Sequence, residues 1–241
     1  MTYTIISDIH GNLQAFDAVI KSLPEKNNTH IICAGDVVGY GADPDGCIEK
    51  MLALGAKNIL GNHDAAVIDK TDIYYFNEYA ASAVLWTKEH LSKAGREYLN
   101  ALPLVLEEDL FTVVHGTLHD PEQFIYMVSA ASAMHTFERL KTKICFVGHS
   151  HVPGVFIFRD GKVYQSFKKK IRIEKGEKYI INVGSVGQPR DNDSRACYCT
   201  YDPDKGEVDF YRIEYDIKLA REQIISAGLP QTLGDRLLYG R

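Results

Sequence analysis

The chain has 241 residues, of which 45% are hydrophobic and 24% are charged; these proportions are ordinary for a globular protein and exclude a disordered one. The formal net charge of −5 argues against sequence-independent binding to long nucleic acid, although a local basic pocket for a small phosphate ester is compatible with it. The five cysteines lack the dense, even spacing of a disulfide scaffold, and no apolar run reaches the length of about 18 residues that spans a membrane. We therefore expect reduced thiols, no membrane partner and a cytoplasmic location.

The first predicted βα unit ends its strand in polar residues. An apolar run over residues 3–6 predicts a buried strand, and it is soon followed by Asp8 and His10. In an extended segment, residues two apart point the same way, so this carboxylate and this imidazole can converge on one cation. The alternative is that Asp8 caps the next helix and His10 is incidental. That helix is predicted to begin after Asn12, at its N-cap position, and to end at Pro24.

Two further βα units repeat this pattern. An apolar strand over residues 30–34 is followed by Asp36 in a glycine-rich loop, and a third short strand ends in Asn62, His63 and Asp64. The first polar residues of these three strand ends are 28 and then 26 residues apart, which fits one strand, one helix and one turn each time. Neighbouring parallel strands would place these ends side by side.

The next segment, about residues 65–102, is predicted to be a helical cap region beside the site. Ser92 is a candidate cap for a second helix within it, and Trp86 and His90 are interpreted as packing residues. The aromatic cluster over residues 74–76 could line a pocket, but packing in the core or cap is the preferred interpretation.

Two later strand ends carry histidines. The second strand of a predicted hairpin, over residues 110–114, ends at His115. After an intervening helix, the strand over residues 144–147 ends at His149 and His151, which again stand two residues apart. Further imidazole ligands can therefore join the polar strand ends described above.

Beyond Pro153 the pattern predicts antiparallel strands. The dipeptide Asp160-Gly161 between two strand-like runs predicts a tight hairpin. A glycine-rich turn in the same region carries Arg190, and the tail, about residues 216–239, is predicted to form two helices. No low-complexity linker marks a domain boundary.

Together the strand ends offer oxygen and imidazole ligands, namely Asp8, His10, Asp36, Asn62, His115, His149 and His151. Such a set suits manganese, iron(II) or zinc rather than a soft thiolate site. It also exceeds what one tetrahedral ion requires. Two ions that share a bridging carboxylate therefore explain the set most simply, as in hydrolases whose paired ions clamp the attacking and leaving oxygens.

Five ordered motifs resemble those of the calcineurin-like metallophosphoesterases: Asp8-x-His10-Gly11-Asn12, Gly35-Asp36, Gly61-Asn62-His63-Asp64, His115-Gly116 and Gly148-His149-Ser150-His151. Each motif alone is weak, but all five in order over residues 8–151 are highly specific. The resemblance implies an α/β fold, a four-layer α/β/β/α sandwich with mixed sheets, in a single domain over residues 1–241. It also implies a dinuclear site for two divalent ions, with manganese expected first and iron, zinc, nickel or magnesium as alternatives.

The same resemblance implies roles for the ligands. One ion would be held by Asp8, His10, Asp36 and His151, and the other by Asp36, Asn62, His115 and His149. A hydroxide shared by both ions would attack phosphorus, while His63 contacts the phosphate and assists the leaving group.

Four further assignments concern residues around the ions. Asp64 is expected either to orient His63 as part of the catalytic apparatus or to cap a helix. Arg190 is a candidate phosphate clamp, with a surface salt bridge as the alternative. Asn12 and Asn62 complete the expected contacts with substrate.

Two departures narrow the expected substrate. Protein phosphatases of this superfamily carry Asp-Arg-Gly after the Gly-Asp motif and Glu after Asn-His, whereas here Asp36 is followed by Val37-Val38-Gly39-Tyr40 and His63 by Asp64. These differences argue against a protein phosphatase and a symmetrical dinucleotide tetraphosphatase. The chain is more similar to small prokaryotic phosphodiesterase-type members, whose substrates include phosphodiesters, nucleotides and dinucleotide polyphosphates.

We therefore expect a metal-dependent phosphatase or phosphodiesterase that acts on a small phosphate ester. One alternative is a non-catalytic, protein-binding scaffold on the same fold, which predicts missing ligands, whereas none is missing from this sequence. Another is a metallohydrolase that acts on a non-phosphate ester or an amide.

Overall fold

The computed structural model describes residues 1–23 and 29–241, so the predicted helix end at Pro24 lies outside the described residues. The strands are β1 (Thr2–Ile6), β2 (Thr29–Cys33), β3 (Lys57–Asn58), β4 (Val105–Glu107), β5 (Phe111–Val114), β6 (Ile144–Val147), β7 (Gly154–Arg159), β8 (Lys162–Ser166), β9 (Lys170–Arg172), β10 (Lys178–Asn182), β11 (Ala196–Asp202) and β12 (Glu207–Ile213). The helices are α1 (Leu13–Ser22), α2 (Pro44–Ala53), α3 (Asn62–Val67), α4 (Glu78–His90), α5 (Lys93–Asn100), α6 (Ala130–Arg139), α7 (Ile217–Ser226) and α8 (Gln231–Asp235). Short 3₁₀ turns cover Ile73–Tyr75, Pro121–Gln123 and Arg236–Tyr239.

Within the described residues these strands form two six-stranded sheets. The first has the order β3-β2-β1-β11-β12-β9, in which β1, β2 and β3 are parallel as predicted and the other pairs are antiparallel. The second has the order β4-β5-β6-β10-β7-β8. Its central strands β5, β6 and β10 are parallel, and its outer pairs are antiparallel. Because both sheets have parallel strands at their centre, each presents a row of carboxyl ends at one edge.

Three main apolar layers pack on the faces of the two sheets. Between the sheets, Ile5 of β1 packs with Phe146 of β6 and their neighbours. On the other face of the first sheet, Ile6 packs against α1, α2 and α5, and on the other face of the second sheet Val147 packs against α6. Successive strand residues point to opposite faces, which explains why these strands are apolar throughout. The order helix, sheet, sheet, helix confirms the predicted four-layer sandwich.

The region over residues 65–102 packs on both sides against other helices. α5, which is capped by Ser92 as predicted, contacts α2, and Ala80 and Ala83 of α4 share a core with α7 and α8. Trp86 packs against this core and donates its Nε1–H to Ala227 O at 2.9 Å, which confirms its packing role, whereas His90 stacks on Trp86 at 4.1 Å between ring centroids but is exposed.

The structure confirms one further prediction from the sequence and contradicts two others. The hairpin at Asp160-Gly161 is confirmed, and both residues have positive φ, 49° and 74°, as a tight hairpin turn requires. The expectation that strands beyond Pro153 are antiparallel is wrong for β10, which inserts between β6 and β7 and runs parallel to β6. Core packing is also wrong for two of the three clustered aromatics, since Tyr74 is 81% and Tyr75 90% exposed.

All five cysteines are buried and unpaired. Among the described residues, no helix has both the length and the apolar character needed to cross a membrane.

Candidate metal centre

The predicted ligands stand where strands of both sheets end. Five of them lie just after β1, β2 and β6 with left-handed backbone, φ being 53° at Asp8, 52° at His10, 57° at Asp36, 67° at His149 and 59° at His151. This conformation is unfavourable by about 1–2 kcal/mol for a residue that has a Cβ. It reverses the chain tightly, so that side chains of adjacent loops can converge on one small volume.

Two glycines allow these loops to pack closely. A Cβ on Gly61 would lie 2.0 Å from Asp36 Oδ1. A Cβ on Gly148 would lie 2.0 Å from Ser7 Oγ and 2.5 Å from Asp8 Oδ2. Any side chain at either position would therefore displace a carboxylate of the site.

Three groups of buried side chains bring ligand atoms within 4.8 Å of one another: Asp8, His10 and His151; His10, Asp36 and His63; and Asp36, His115 and His149. Because His10 and Asp36 each belong to two groups, the three groups form one continuous row. Asn62 joins the row, since its Oδ1 lies 3.1 Å from His115 Nε2. The structure thus brings all seven residues assigned as metal ligands together with His63.

Asp36 occupies the middle of the row. Its Oδ1 accepts a hydrogen bond of 2.8 Å from the backbone N–H of His63, and its Oδ2 lies 3.2 Å from His115 Nε2 and 3.7 Å from His10 Nε2. In the part of the chain that the structure describes, this Oδ2 is buried without a hydrogen-bond partner. A buried carboxylate oxygen is unfavourable unless a cation or a donor satisfies it, so its surroundings fit a metal ion.

Three imidazoles turn Nε2 toward the centre. Their Nδ1 atoms, in His10, His115 and His151, lie 3.1, 2.7 and 2.6 Å from the backbone oxygens of Val38, Ala34 and Gln188. Each Nδ1 can therefore donate to a carbonyl, which leaves Nε2 free as a ligand. The Nε2 atoms of His10 and His151 lie only 3.1 Å apart, an approach that a shared cation would stabilise.

Burial and mutual charge determine the protonation of the site. Burial would raise the pKa of Asp8 and Asp36, but the surrounding histidines hold both values below the usual range. Burial would lower the pKa of His115, but the Asp36 carboxylate raises it to about 9. Burial lowers the pKa of His149 to about 3 and that of His151 to about 4. Ionised carboxylates and neutral imidazoles are the forms that bind metal ions, so an ion bound by Asp36 and His115 would have to displace the His115 proton.

His63 lies between the row of ligands and an open cavity. The cavity has a volume of about 620 Å³, and its lining includes Asn62, His63 and His149. The His63 ring packs 4.4 Å from Tyr40 and 5.0 Å from Phe76, between ring centroids. Its Nδ1 is buried and finds no hydrogen-bond partner among the described residues, and burial lowers its pKa.

Asp64 contacts the backbone. Its carboxylate accepts hydrogen bonds from the N–H groups of Asp36, Val38 and Gly61, at 2.8, 3.1 and 3.1 Å. Burial and the nearby Asp36 charge raise its pKa to about 7. The carboxylate therefore caps α3 and fixes the Asp36 loop to it, which favours the helix-cap alternative over the orientation of His63.

Asn12 is engaged within the fold. Its Oδ1 accepts from the N–H of Ala15 at 3.1 Å, as a helix cap, and its Nδ2 donates to Gly187 O at 2.8 Å and to the Tyr215 hydroxyl at 3.4 Å. The predicted N-cap is confirmed. These bonds use both N–H groups of the amide, so neither remains to donate to a phosphate oxygen, and the geometry gives the predicted contact with substrate no support.

Arg190 lies beside the row of ligands. Its Nη2 donates to the Tyr40 hydroxyl at 3.2 Å and to Gln188 Oε1 at 2.9 Å, and its Cζ lies 5.6 Å from the centre of the Tyr40 ring. Its Nε is buried without a partner in the described part of the chain. Both hydrogen-bonding partners are neutral, so the structure gives no support to the surface-salt-bridge alternative.

Two residues near the site belong to no motif that the sequence analysis could recognise. Tyr126, in the loop between β5 and α6, stacks on His149 at 3.7 Å between ring centroids and 21° between ring planes. Arg236, in the C-terminal 3₁₀ turn, is half-buried, and its burial together with the nearby Arg190 lowers its pKa. Both come from segments without a motif, and only their residue types could have drawn attention to them.

The fold and the ligand row define a metal-binding protein of the α/β/β/α class. The donor set combines carboxylate, amide and imidazole ligands, which suits divalent ions of the first transition row. Within that set the buried Asp36 Oδ2 lies 3.2 Å from His115 Nε2 and 3.7 Å from His10 Nε2, where a cation would stabilise its charge.

Comparisons with known proteins agree with this class. The family model described as the calcineurin-like phosphoesterase superfamily domain matches residues 1–206. An uncharacterized protein of Methanocaldococcus jannaschii is 38% identical over 98% of this chain and 97% of its own length. The crystal structure of a metallophosphoesterase from Sphaerobacter thermophilus superposes with a TM-score of 0.87 and 37% identity, over 100% of this chain and 99% of that one. A hypothetical protein from Pyrococcus horikoshii OT3 shares the fold, with a TM-score of 0.79 and 20% identity over 100% and 98% of the two chains.

The chain belongs to the calcineurin-like phosphoesterase superfamily. The resemblance drawn from the five sequence motifs is thereby confirmed.

Proposed function

We propose that this protein hydrolyses small phosphate esters, as a phosphatase or a phosphodiesterase, with two divalent metal ions. Asp36 carries the proposal, because its unpartnered Oδ2 lies between Nε2 of His10 and Nε2 of His115, which belong to two different ligand groups. A carboxylate in that position can bridge two ions. One ion would be held by Asp8, His10, Asp36 and His151, and the other by Asp36, Asn62, His115 and His149.

When bound, the two ions would supply the charge that lowers the pKa of a water molecule and neutralises a phosphate. The part of His63 would be to bind the phosphate at the boundary between the ions and the cavity. His63 lines the cavity beside the ligand row, so its ring can donate a hydrogen bond to a phosphate or leaving-group oxygen there. Since burial favours its neutral form, His63 would act as a hydrogen-bond donor rather than as a fixed charge.

Arg190 would provide a positive charge outside the metal ligands. Tyr40 and Gln188 hold its guanidinium while its Nε lacks a partner. Because both holding groups are neutral, the positive charge is not cancelled and can pair with a phosphate oxygen. Asp64 would act indirectly, by holding the Asp36 loop against α3.

The completeness of the ligand row favours an enzyme over a protein-binding scaffold. All seven metal-ligand positions converge, and the cavity opens directly onto Asn62, His63 and His149. This donor set accepts several divalent metals, among which cellular supply selects, and manganese is the first of them to test. Nucleotides and dinucleotide polyphosphates are the first natural substrates to test.

The test uses protein stripped of metal by a chelator and then supplied with manganese. Hydrolysis of p-nitrophenyl phosphate is compared with that of bis(p-nitrophenyl) phosphate, before and after manganese is added. We expect activity only after addition, and the preferred ester then distinguishes a phosphatase from a phosphodiesterase. Protein that binds two ions and hydrolyses neither ester nor any nucleotide would contradict the proposal and favour the scaffold.

A further inference from the structure

The cavity beside the metal centre has two walls formed by residues outside the five ligand motifs. One wall comes from residues 70–80, including the exposed Tyr75, and the other from residues 122–126, ending in Tyr126. Its volume of about 620 Å³ falls within the range of about 300–1,000 Å³ typical of small-molecule sites. The cavity therefore has room for a sizeable group attached to the phosphate.

Aromatic rings stand on both walls. Tyr75 is 90% exposed, although it lines the cavity, and Tyr126 is 48% exposed while its ring also stacks on His149. Phe76 and Phe124 lie deeper, 5.0 Å from the His63 ring and 6.1 Å from the His115 ring. Flat apolar surfaces that remain exposed on two sides of a cleft are typical of sites that stack a planar ligand.

The charges on the walls disfavour a second phosphate. The one lysine among the lining residues, Lys70, donates its Nζ to the backbone oxygen of Asn100 at 3.0 Å. Asp72 and Glu122 add two carboxylates, and no arginine is among the lining residues in the described part of the chain. Such walls favour a neutral ring, whose amino groups can donate to the carboxylates, over a further phosphate chain, so mononucleotides rank ahead of dinucleotide polyphosphates among the substrates to test.

We propose that this cavity binds the base of a nucleoside whose phosphate group lies at the metal centre, with Tyr75 as a stacking surface. The inference rests on the proposed function and narrows its substrate class to nucleoside phosphoesters. Stacking of a base on an aromatic side chain is sequence-tolerant, so recognition by Tyr75 favours nucleosides in general over one particular base.

The test compares two ligands that differ only in the base. Binding to the manganese-loaded protein is measured by calorimetry with phosphonate analogues of adenosine 5′-monophosphate and of ribose 5-phosphate, in which a methylene group replaces the ester oxygen so that they cannot be hydrolysed. The corresponding analogue of phosphocholine is a third, cationic ligand. We expect the nucleotide to bind at least about tenfold more tightly than ribose 5-phosphate. Tyr75→Leu should remove about tenfold of nucleotide affinity and leave ribose 5-phosphate unaffected, while Tyr75→Phe, which keeps the ring, should bind like the parent protein.

Tyr74→Leu provides the matched control, because Tyr74 is 81% exposed in the same 3₁₀ turn but does not line the cavity. An equal loss in Tyr74→Leu would assign the effect to the turn and overturn the role of Tyr75. Equal affinity for the nucleotide and ribose 5-phosphate, or tightest binding of phosphocholine, would overturn the base site while ester hydrolysis remained intact. Failure of all three ligands to bind, with no ester hydrolysed, would overturn the proposed function as well.

Discussion

The two sheets contribute different chemistry to one metal centre. Loops of the first sheet carry both carboxylates, Asp8 and Asp36, whereas loops of the second sheet contribute the imidazoles of His115, His149 and His151. Two of the three ligand groups draw members from both sheets. The comparison shows that neither sheet holds a complete site: the first supplies the negative charge that attracts cations, and the second completes their coordination.

The largest effect should follow from neutralising the carboxylate between the ligand groups. We expect Asp36→Asn to lower turnover by at least about 10³-fold and to weaken binding of both ions, because a neutral amide cannot bridge two cations. Metal content by elemental analysis and hydrolysis of the preferred ester test this together. Retained activity with two ions bound would remove Asp36 from the bridging position, and Asp193→Asn is the control for loss of a carboxylate elsewhere.

A smaller effect is expected at the boundary with the cavity. His63→Ala should lower turnover by about 10²-fold while both ions stay bound, because His63 is assigned to the phosphate rather than to the metal. Since His63 also belongs to one of the compact ligand groups, metal content decides between the two roles. Loss of an ion from the variant would make His63 a ligand.

Because ligands from both sheets would bind the same ions, bound ions should also stabilise the folded protein. Each ion at about one hundred times its dissociation constant stabilises a folded protein by about 2.7 kcal/mol. For a chain of 241 residues this amounts to a rise of about 5–10 °C in melting temperature for each ion bound when manganese is added to stripped protein. Calorimetry should show the rise in the parent protein and a much smaller one in Asp36→Asn. An equal rise in both would mean that the stabilising ions bind elsewhere.

The smallest effect concerns Asp193, a carboxylate in the loop between β10 and β11 that belongs to none of the three ligand groups. The hydrogen bond from Arg195 lowers the pKa of Asp193 to about 2 from the usual 3.8. The unfolded chain therefore binds the proton first as pH falls, so the contribution of Asp193 is complete above about pH 4 and is lost as pH falls toward 2. Because the pair is partly exposed, we expect Asp193→Asn to change the melting temperature by no more than about 2 °C at pH 7, with the difference disappearing in acid and no dependence on manganese.

Much of the fold and of the ligand row could be predicted because the signals are local. Asp8, His10 and Asp36 follow apolar strands closely in sequence. Pairing between parallel strands then places the carboxyl ends of these strands side by side. The insertion of β10 between β6 and β7 could not be predicted in this way, because strand order is decided by packing between distant segments. For the same reason Tyr126 is adjacent to His149 in space without any spacing that would indicate it.

The predictions that the structure does not support, for Asn12, Tyr74 and Tyr75, failed for a common physical reason. Asn12 has the chemistry of a substrate ligand, but its neighbours in space, Gly187 and Tyr215, take up its amide. Tyr74 and Tyr75 have the hydrophobicity of core residues, yet the short turn that carries them lies at the cavity edge. Composition indicates what a side chain can do, whereas tertiary contacts decide which of those options remains open.

The left-handed backbone at five ligand positions bears on attempts to evolve the protein toward heat tolerance. Glycine at these positions would relieve the conformational strain, at about 1–2 kcal/mol for each residue. A library selected for heat tolerance alone, in the presence of a chelator, would therefore enrich substitutions that erase the ligands. At the metal centre, substitutions that stabilise the backbone therefore remove metal ligands. Selection in the presence of the metal ion would be needed to retain both stability and metal binding.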